Sequence, residues 1–315
     1  MKFYSADDID ACLDFPNLIE ALNQGFTRNY TIPTRMHINY DNAIDNNQNT
    51  MLLMPAIEKD GYAGVKIVNV APANTTRNLP TIRGIYYLFD AFNGDPMALF
   101  DAKSLTNWRT AAASALAATY LASTEASCLL MVGTGALAPY IIEAYTAVRP
   151  IKKLLIYGRN KQQAENIAGQ KADLIDEIAI VENLQEAVTE ADIISVATLS
   201  KTPIILGSWL RPGQHIDLIG SYRTDMREAD DEVLTKSSIY VDSVKSAPNE
   251  CGDLFIPLRE GIISLDDIKG DLFQLCNREV KGRIDAEEIT VFKSVGHALE
   301  DLVAARLILA AQNLK

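Results

Sequence analysis

The segment Gly133-Thr134-Gly135-Ala136-Leu137-Ala138 follows directly on the apolar run Cys128 to Val132 and opens the helix-like run Pro139 to Val148. Strand, glycine turn and helix in that order constrain this stretch to a βα unit whose helix N-terminus faces an anion. Gly133 lets the chain turn off the strand, Gly135 lets backbone amides approach a pyrophosphate, and Ala138 lets the helix pack closely. A bare G-x-G-x-x-A pattern also arises by chance in glycine-rich turns, so the following strand has to support it.

Lys153 to Tyr157 reads as that strand and ends in Gly158-Arg159-Asn160-Lys161, where an NAD site carries an Asp or Glu to grip the ribose hydroxyls. The carboxylate is missing. An Arg with a nearby Lys at this tip suits a 2′-phosphate, because a guanidinium fork matches phosphate oxygens. The sequence therefore favours NADPH, with NADH as the alternative. Without the glycine turn upstream, Arg159 and Lys161 would read as a solvated loop.

The chain has 315 residues, 48% of them apolar, which is enough for two domains with real cores. Its net charge of −12 argues against nucleic acid or an anionic membrane as partner, since either calls for a basic footprint. No run of about 18 uncharged apolar residues predicts a membrane span. Cys12, Cys128, Cys251 and Cys276 are as scattered as His37, His215 and His297, so no metal site is expected. Met1-Lys-Phe-Tyr-Ser lacks the apolar core of a signal peptide, and the expectation is a reduced, cytoplasmic protein.

Residues 1 to about 120 predict an amphipathic helix near Asp7 to Phe26. Strand-like runs follow at Met36 to Tyr40, Thr50 to Met54, Gly64 to Val70 and Gly84 to Phe89. Asn93-Gly94-Asp95-Pro96 reads as a hairpin into Met97 to Phe100, giving a mostly antiparallel sheet. The alanine-rich helix Leu105 to Leu121 is expected to cross between domains. From about 126 to 245 the pattern alternates: helix-like segments at 136–148, 160–172 and 183–190 separate strands at 128–132, 153–157, 178–181 and 192–197, with further strands near 215–219 and 238–242. That alternation reads as βαβ units in a doubly wound parallel sheet. Ile289 to Phe292 predicts a last strand before a long terminal helix.

Chemistry beyond the cofactor calls for a second site, and three cations of the first region mark it. Lys66 interrupts the apolar strand Gly64-Val-Lys-Ile-Val-Asn-Val, and Arg109 is the only charge in its alanine-rich helix. Charges in such surroundings need partners. With Arg35, they would bind an anionic substrate such as a carboxylate in fork geometry. Pairing with structural Asp or Glu residues explains Lys66 and Arg109 equally well. His297 and the acidic clusters Asp230-Asp-Glu232 and Asp285-Ala-Glu-Glu288 read as helix-start surface residues.

The chain resembles the ornithine cyclodeaminase/mu-crystallin family over nearly its whole length. The resemblance is carried by Met54-Pro-Ala56, Gly64-Val-Lys66, Arg109-Thr-Ala-Ala-Ala-Ser-Ala-Leu-Ala117, Gly133 to Ala138, Arg211-Pro-Gly213, Asp225-Met-Arg-Glu228, Phe292-Lys-Ser-Val-Gly296 and Glu300-Asp301. It implies an α/β protein in which a Rossmann domain, 121–292, is inserted into an α+β substrate-binding and dimerisation domain, 1–120 plus 293–315, that forms homodimers. It further implies substrate contacts at Arg35, Lys66 and Arg109. Cofactor contacts are implied at Gly133, Thr134, Gly135, Ala136, Leu137, at the tip Arg159, Asn160 and Lys161, and at Thr110, Ala197, Thr198 and Lys293.

Two departures bear on the reaction. Cyclodeaminases of the family carry a catalytic Asp where this chain has Tyr222, and a Glu where it has Leu52; losing carboxylates removes the groups that would handle an ammonium proton. The family's alanine dehydrogenases also place an Asp at the first of these positions. Arg223-Thr-Asp-Met-Arg-Glu228 resembles the imine reductase branch instead. The expectation is reduction of a small anionic cyclic imino acid, Δ1-pyrroline-2-carboxylate to L-proline, with Δ1-piperideine-2-carboxylate as a second substrate. Lys66 is the candidate proton donor, with Tyr222 and Asp225 as weaker ones. An alanine dehydrogenase-like enzyme, a cyclodeaminase and a non-catalytic NADPH-dependent binding protein are the alternatives.

Overall fold

The structure, a computed structural model, describes residues 1–42, 48–59, 61–77 and 79–313. The chain divides into two compact units, Met1–Thr110 with His297–Lys315, and Ala111–Gly296. The divisions fall ten residues before and four residues after the expected boundaries. The helix Ala102–Leu121 is one unbroken 20-residue element, so composition gives no sign of a boundary inside it. The stretch Ser294–Gly296 is tied to the second unit because Asp242 accepts the Val295 and Gly296 amides at 2.8 and 2.7 Å and the Ser294 hydroxyl at 3.0 Å.

Among the described residues the first unit holds a sheet of seven strands: β1 (Lys2–Tyr4), β2 (Tyr30–Thr31), β3 (Met36–Asp41), β4 (Gln48–Glu58), β5 (Tyr62–Val70), β6 (Ile82–Asp90) and β7 (Pro96–Asp101). The order is β1-β7-β6-β5-β4-β2, with β3 also on β4. Every pairing is antiparallel except that of β1 with β7. The hairpin between β6 and β7 forms because Gly94 takes φ +78° and Asp90 accepts the amides of Phe92 and Asn93. The expected helix Asp7 to Phe26 is instead two helices, Ala6–Asp10 and Phe15–Phe26, the second started by the Asp14 side chain on the Asn17 amide and by a proline in its first turn. The terminal helix Ala298–Asn313 packs on β5, β4 and β6 and on the helix Phe15–Phe26; its Val303 lies so close to Gly25 that any Cβ there would collide at 2.7 Å.

The second unit is built on eight strands: β8 (Cys128–Val132), β9 (Lys153–Tyr157), β10 (Glu177–Ile180), β11 (Ile193–Val196), β12 (His215–Leu218), β13 (Ser238–Val241), β14 (Ile268–Asp271) and β15 (Thr290–Lys293). They run in the order β10-β9-β8-β11-β12-β15-β13-β14 with every pairing parallel. β8, β11 and β12 are buried along their whole length; β8 reads as a continuous apolar run, while β11 and β12 carry the buried polar residues Ser195, His215 and Asp217. Chain order reverses at β8, which has β9 on one side and β11 on the other. In such sheets ligands bind beyond the carboxyl ends of the strands at that switch point.

Candidate functional site

The turn that leaves β8 lies at the switch point. Gly133 takes φ +111°, and a Cβ there would stand 2.5 Å from the Ala197 carbonyl oxygen, so the loops after β8 and β11 touch through a position that only glycine fits. Its amide donates to the Tyr157 carbonyl at 2.9 Å, joining the end of β9 to the same cluster. Beyond it the chain opens. Gly135 and Ala136 are exposed, and a Cβ on Gly135 would meet nothing within 4 Å. The helix Ala138–Val148 begins at Leu137 with no side-chain cap and a proline in its first turn. Among the described residues the amides of Thr134, Gly135, Ala136 and Leu137 donate to no protein group. Free amides with room beside them at a helix N-terminus fit a dinucleotide pyrophosphate, so these residues suit the cofactor that the turn implies. Ala138 is buried, as close packing of the helix requires.

The tip after β9 separates into two roles. Arg159 and Lys161 are exposed and form no ion pair among the described residues. Asn160, expected as a cofactor contact, is the cap of the helix Lys161–Lys171: its Oδ1 accepts the Gln163 amide at 3.1 Å, so that oxygen is committed to the fold. Thr134 bonds Gln163 at 3.3 Å, linking the glycine turn to this helix.

Beneath the ends of β11 and β12 lies a buried ionic cluster that sequence reasoning missed. Glu228 accepts the Thr198 amide at 2.7 Å, the Thr198 hydroxyl at 2.8 Å, the Gly220 amide at 2.8 Å and the Ser221 amide at 3.0 Å. Asp253 accepts the Glu228 and Ala229 amides at 2.8 and 3.1 Å and the Ser221 hydroxyl at 2.5 Å. Lys293 was expected at the cofactor. It is fully buried, its Nζ 3.0 Å from Ser221 Oγ, 3.2 Å from Asp253 Oδ2 and 3.9 Å from Glu228 Oε2, so its charge is paired inside the unit. Burial pushes the Glu228 carboxyl up to about 7, against the pull of Lys293. Burial depresses the Lys293 ammonium, but Asp253, Cys251 and Glu228 outweigh it and the net direction is upward. The cluster fixes Thr198 and the Gly220-Ser221 turn from below; Ala197 and Thr198 themselves stay half-buried, above it. Glu228 stands in one of the segments that carry the family resemblance, but only its surroundings reveal what it does.

Next along the Gly220 loop, Tyr222 is half-buried, and burial raises its hydroxyl above the ordinary phenol range, so it stays protonated. Asp225, expected as a catalytic candidate, is corrected. It is exposed and paired with Arg223 at 2.8 Å and Lys201 at 3.0 Å, which together outweigh its partial burial and hold its carboxyl below the ordinary value. An ionised, doubly paired carboxylate has no proton to give.

The first unit brings the expected cations together. Lys66 on β5 stands opposite Met54 on β4 and Tyr86 on β6, on the sheet face that the terminal helix covers. Its Nζ lies 2.8 and 3.0 Å from the two oxygens of Asp301 and 3.3 Å from the Thr106 hydroxyl. Arg109 donates from Nε to Asp301 at 3.2 Å and from Nη1 to Glu300 at 2.6 Å. All four side chains are buried, Glu300 and Asp301 completely. Structural pairing, one of the two readings open to the sequence, is therefore present. Burial, then Arg109, then Arg35 lower the Lys66 ammonium to about 8, against Asp301. Arg35, half-buried just before β3, is thus close enough to act on Lys66. Thr110, next to Arg109, is buried on the same helix. This group joins two buried cations of which Lys66 is the one suited to give up a proton near neutral pH, while the planar guanidinium of Arg109 suits a carboxylate.

A family model described as the ornithine cyclodeaminase/mu-crystallin family matches residues 2–313. A Δ1-pyrroline-2-carboxylate reductase of Paracoccus denitrificans is 38% identical over 309 residues, 98% of this chain and 96% of that protein. The structure of Thermococcus litoralis Δ1-pyrroline-2-carboxylate reductase in complex with NADH and L-proline superposes with a TM-score of 0.92 at 33% identity, covering 100% of this chain and 98% of the other. An archaeal alanine dehydrogenase dimer with bound NAD superposes with a TM-score of 0.91 at 26% identity, over 99% and 96% of the two chains.

Proposed function

The chain belongs to the ornithine cyclodeaminase/mu-crystallin family, and on that footing we infer that it reduces Δ1-pyrroline-2-carboxylate to L-proline with a reduced nicotinamide cofactor. What carries the reading is full-length similarity to reductases of that substrate, joined to a buried Lys66–Arg109 pair that Asp301 and Glu300 balance, with Arg35 beside it as the added positive charge for a carboxylate.

The dinucleotide, when bound, supplies a hydride to C2 of the ring C=N bond. The amides of Thr134 to Leu137 take its pyrophosphate. Arg109 and Lys66, with Arg35 beside them, hold the substrate carboxylate, which fixes the ring face presented for reduction. The ring nitrogen needs one proton, and the Lys66 ammonium, lowered to about 8, is the group suited to give it. Tyr222, whose hydroxyl burial holds above the ordinary phenol range, is the second candidate.

Arg159 and Lys161 support NADPH over NADH, because two exposed cations without ion pairs stand where a carboxylate would select NADH. Leu52 counts against cyclodeaminase chemistry: it lies two residues from Met54, on the Lys66 face of the sheet, and puts an aliphatic side chain where that chemistry wants a carboxylate. The assembly we propose is a homodimer through the first unit, supported by the exposed stripe Met36, Ile38 and Tyr40 on β3 and by the dimeric alanine dehydrogenase. Four free cysteines suit a reducing compartment such as the cytoplasm. Among the described residues no helix is long and apolar enough to cross a membrane.

The test is NADPH oxidation followed by absorbance with Δ1-pyrroline-2-carboxylate, with NADH run in parallel and L-ornithine plus NAD assayed separately for ammonia. Rapid turnover that prefers NADPH is expected. Ammonia from ornithine would overturn the reading in favour of a cyclodeaminase, and tight NADPH binding without turnover would leave a binding protein.

A further inference from the structure

We propose that Asp301 is a positioning residue for the reaction: a single buried carboxylate that sets Lys66 and Arg109 in register so that both cations address one substrate group. The proposal rests on the reductase reading above.

Lys66 comes from β5 and Arg109 from the helix Ala102–Leu121, so neither element fixes the other's side chain. Asp301 joins them from a third element, the terminal helix. Its Oδ1 accepts from Lys66 Nζ at 3.0 Å and from Arg109 Nε at 3.2 Å, and its Oδ2 lies 2.8 Å from Lys66 Nζ. Neighbouring residues of a helix point in directions about 100° apart, so Glu300, holding Arg109 Nη1 at 2.6 Å, grips the same guanidinium from another side. A guanidinium held at two of its nitrogens cannot rotate, which is the condition for a planar, directional contact with a ligand carboxylate.

The surroundings of Lys66 make Asp301 decisive for its charge as well. Facing Lys66 are Arg109 and the Thr106 hydroxyl from the long helix, Arg35 from the segment before β3, Met54 from β4, Tyr86 from β6 and Asp301 from the terminal helix. Arg109 and Arg35 work against a proton on Lys66, and burial does the same. Among the described residues Asp301 is the carboxylate that favours it. The Tyr86 hydroxyl is buried without a hydrogen-bond partner, so it does not bond Lys66 in place of Asp301. Catalysis needs Lys66 charged, and the charged form is lost as pH rises through its pKa. The parent enzyme should therefore show an alkaline limb in kcat/KM near pH 8, and removing the Asp301 charge should move that limb downward.

The experiment compares the parent with Asp301→Asn and Asp301→Glu, with NADPH affinity as the control that the second unit is intact. Asp301→Asn should lower the alkaline limb of kcat/KM by about 1–3 pH units, the range of an opposite charge on a nearby group. It should raise KM for the imine at pH 8 more than tenfold, with a smaller change in kcat and unchanged NADPH affinity. Asp301→Glu, which keeps the charge but moves it by one methylene, should restore the limb and leave KM raised. A parent-like limb and KM in Asp301→Asn would overturn the proposal. If that variant does not fold, a parent-like KM in Asp301→Glu overturns it alone. Titration of the Lys66 ammonium by nitrogen NMR, assigned through Lys66→Met, reads the same dependence without turnover. Failure of the parent to reduce the imine thus counts against the reductase reading, while an Asp301-independent Lys66 titration counts against this proposal.

Discussion

In the first unit the buried acids Glu300 and Asp301 meet side-chain cations, Lys66 and Arg109. In the second, Glu228 and Asp253 mainly accept backbone amides, with Lys293 beside them. Both clusters satisfy the rule that a buried charge is paired or hydrogen-bonded, and they do different things with it. Carboxylates on side-chain cations fix the direction of charges, and carboxylates on amides fix the path of loops. The first suits recognition of a small anion. The second suits a long ligand that lies along the ends of strands.

The sharpest way to break this comparison is Arg109→Met, which leaves Glu300 and Asp301 buried with less countercharge. Removing one partner of a buried pair costs about 3–5 kcal/mol, so the denaturant midpoint should fall well below the parent's and kcat/KM for the imine should fall with it. A fall in midpoint with unchanged KM would reduce the pair to structure and erase the contrast. Glu228→Gln probes the other cluster and should act less strongly. An amide supplies one acceptor oxygen where the carboxylate took four bonds, and leaving buried donors unsatisfied costs about 1–3 kcal/mol. Cofactor affinity by fluorescence titration should weaken about tenfold, while the imine KM at saturating cofactor should hold. Arg159→Ser should act most narrowly, on one cofactor and not on the fold, because the side chain is exposed. Hydrogen bonds to charged groups contribute about 1.5–3 kcal/mol, so KM for NADPH should rise about tenfold or more, with NADH kinetics and thermal stability unchanged. Equal losses with both cofactors would remove the 2′-phosphate role.

The same contrast explains what was legible beforehand. Lys66 and Arg109 showed themselves because a charge in an apolar run is conspicuous, and Gly133 because a strand-to-helix turn demands a residue of its kind. The strands β8, β9, β11 and β12 were placed to within a residue, since their buried centres are mostly apolar and turn residues or loops bound them. The break at Ala11–Asp14 was not, because apolar periodicity continues through it and only Pro16 and Asp14 mark the restart. Glu228 was quoted without a role, and Asp253 was passed over. Their partners are amides more than twenty residues away, or amides in loops, and an amide has no sequence signature. Lys293 and Asn160 were given to the cofactor without the partners the structure gives them, a buried ion cluster for one and a helix cap that its type already favours for the other.

Gly135 separates two kinds of selection that usually act together. Its φ is not among the positive values of the chain, and a Cβ there meets nothing within 4 Å. An alanine at this position would be neutral or slightly favourable for folding, because it restricts the unfolded chain. A stability screen would therefore accept Gly135→Ala, and only an assay of bound dinucleotide would reject it. Robustness and activity would then pull this one position in opposite directions, and the glycine records which of them the turn was shaped to serve.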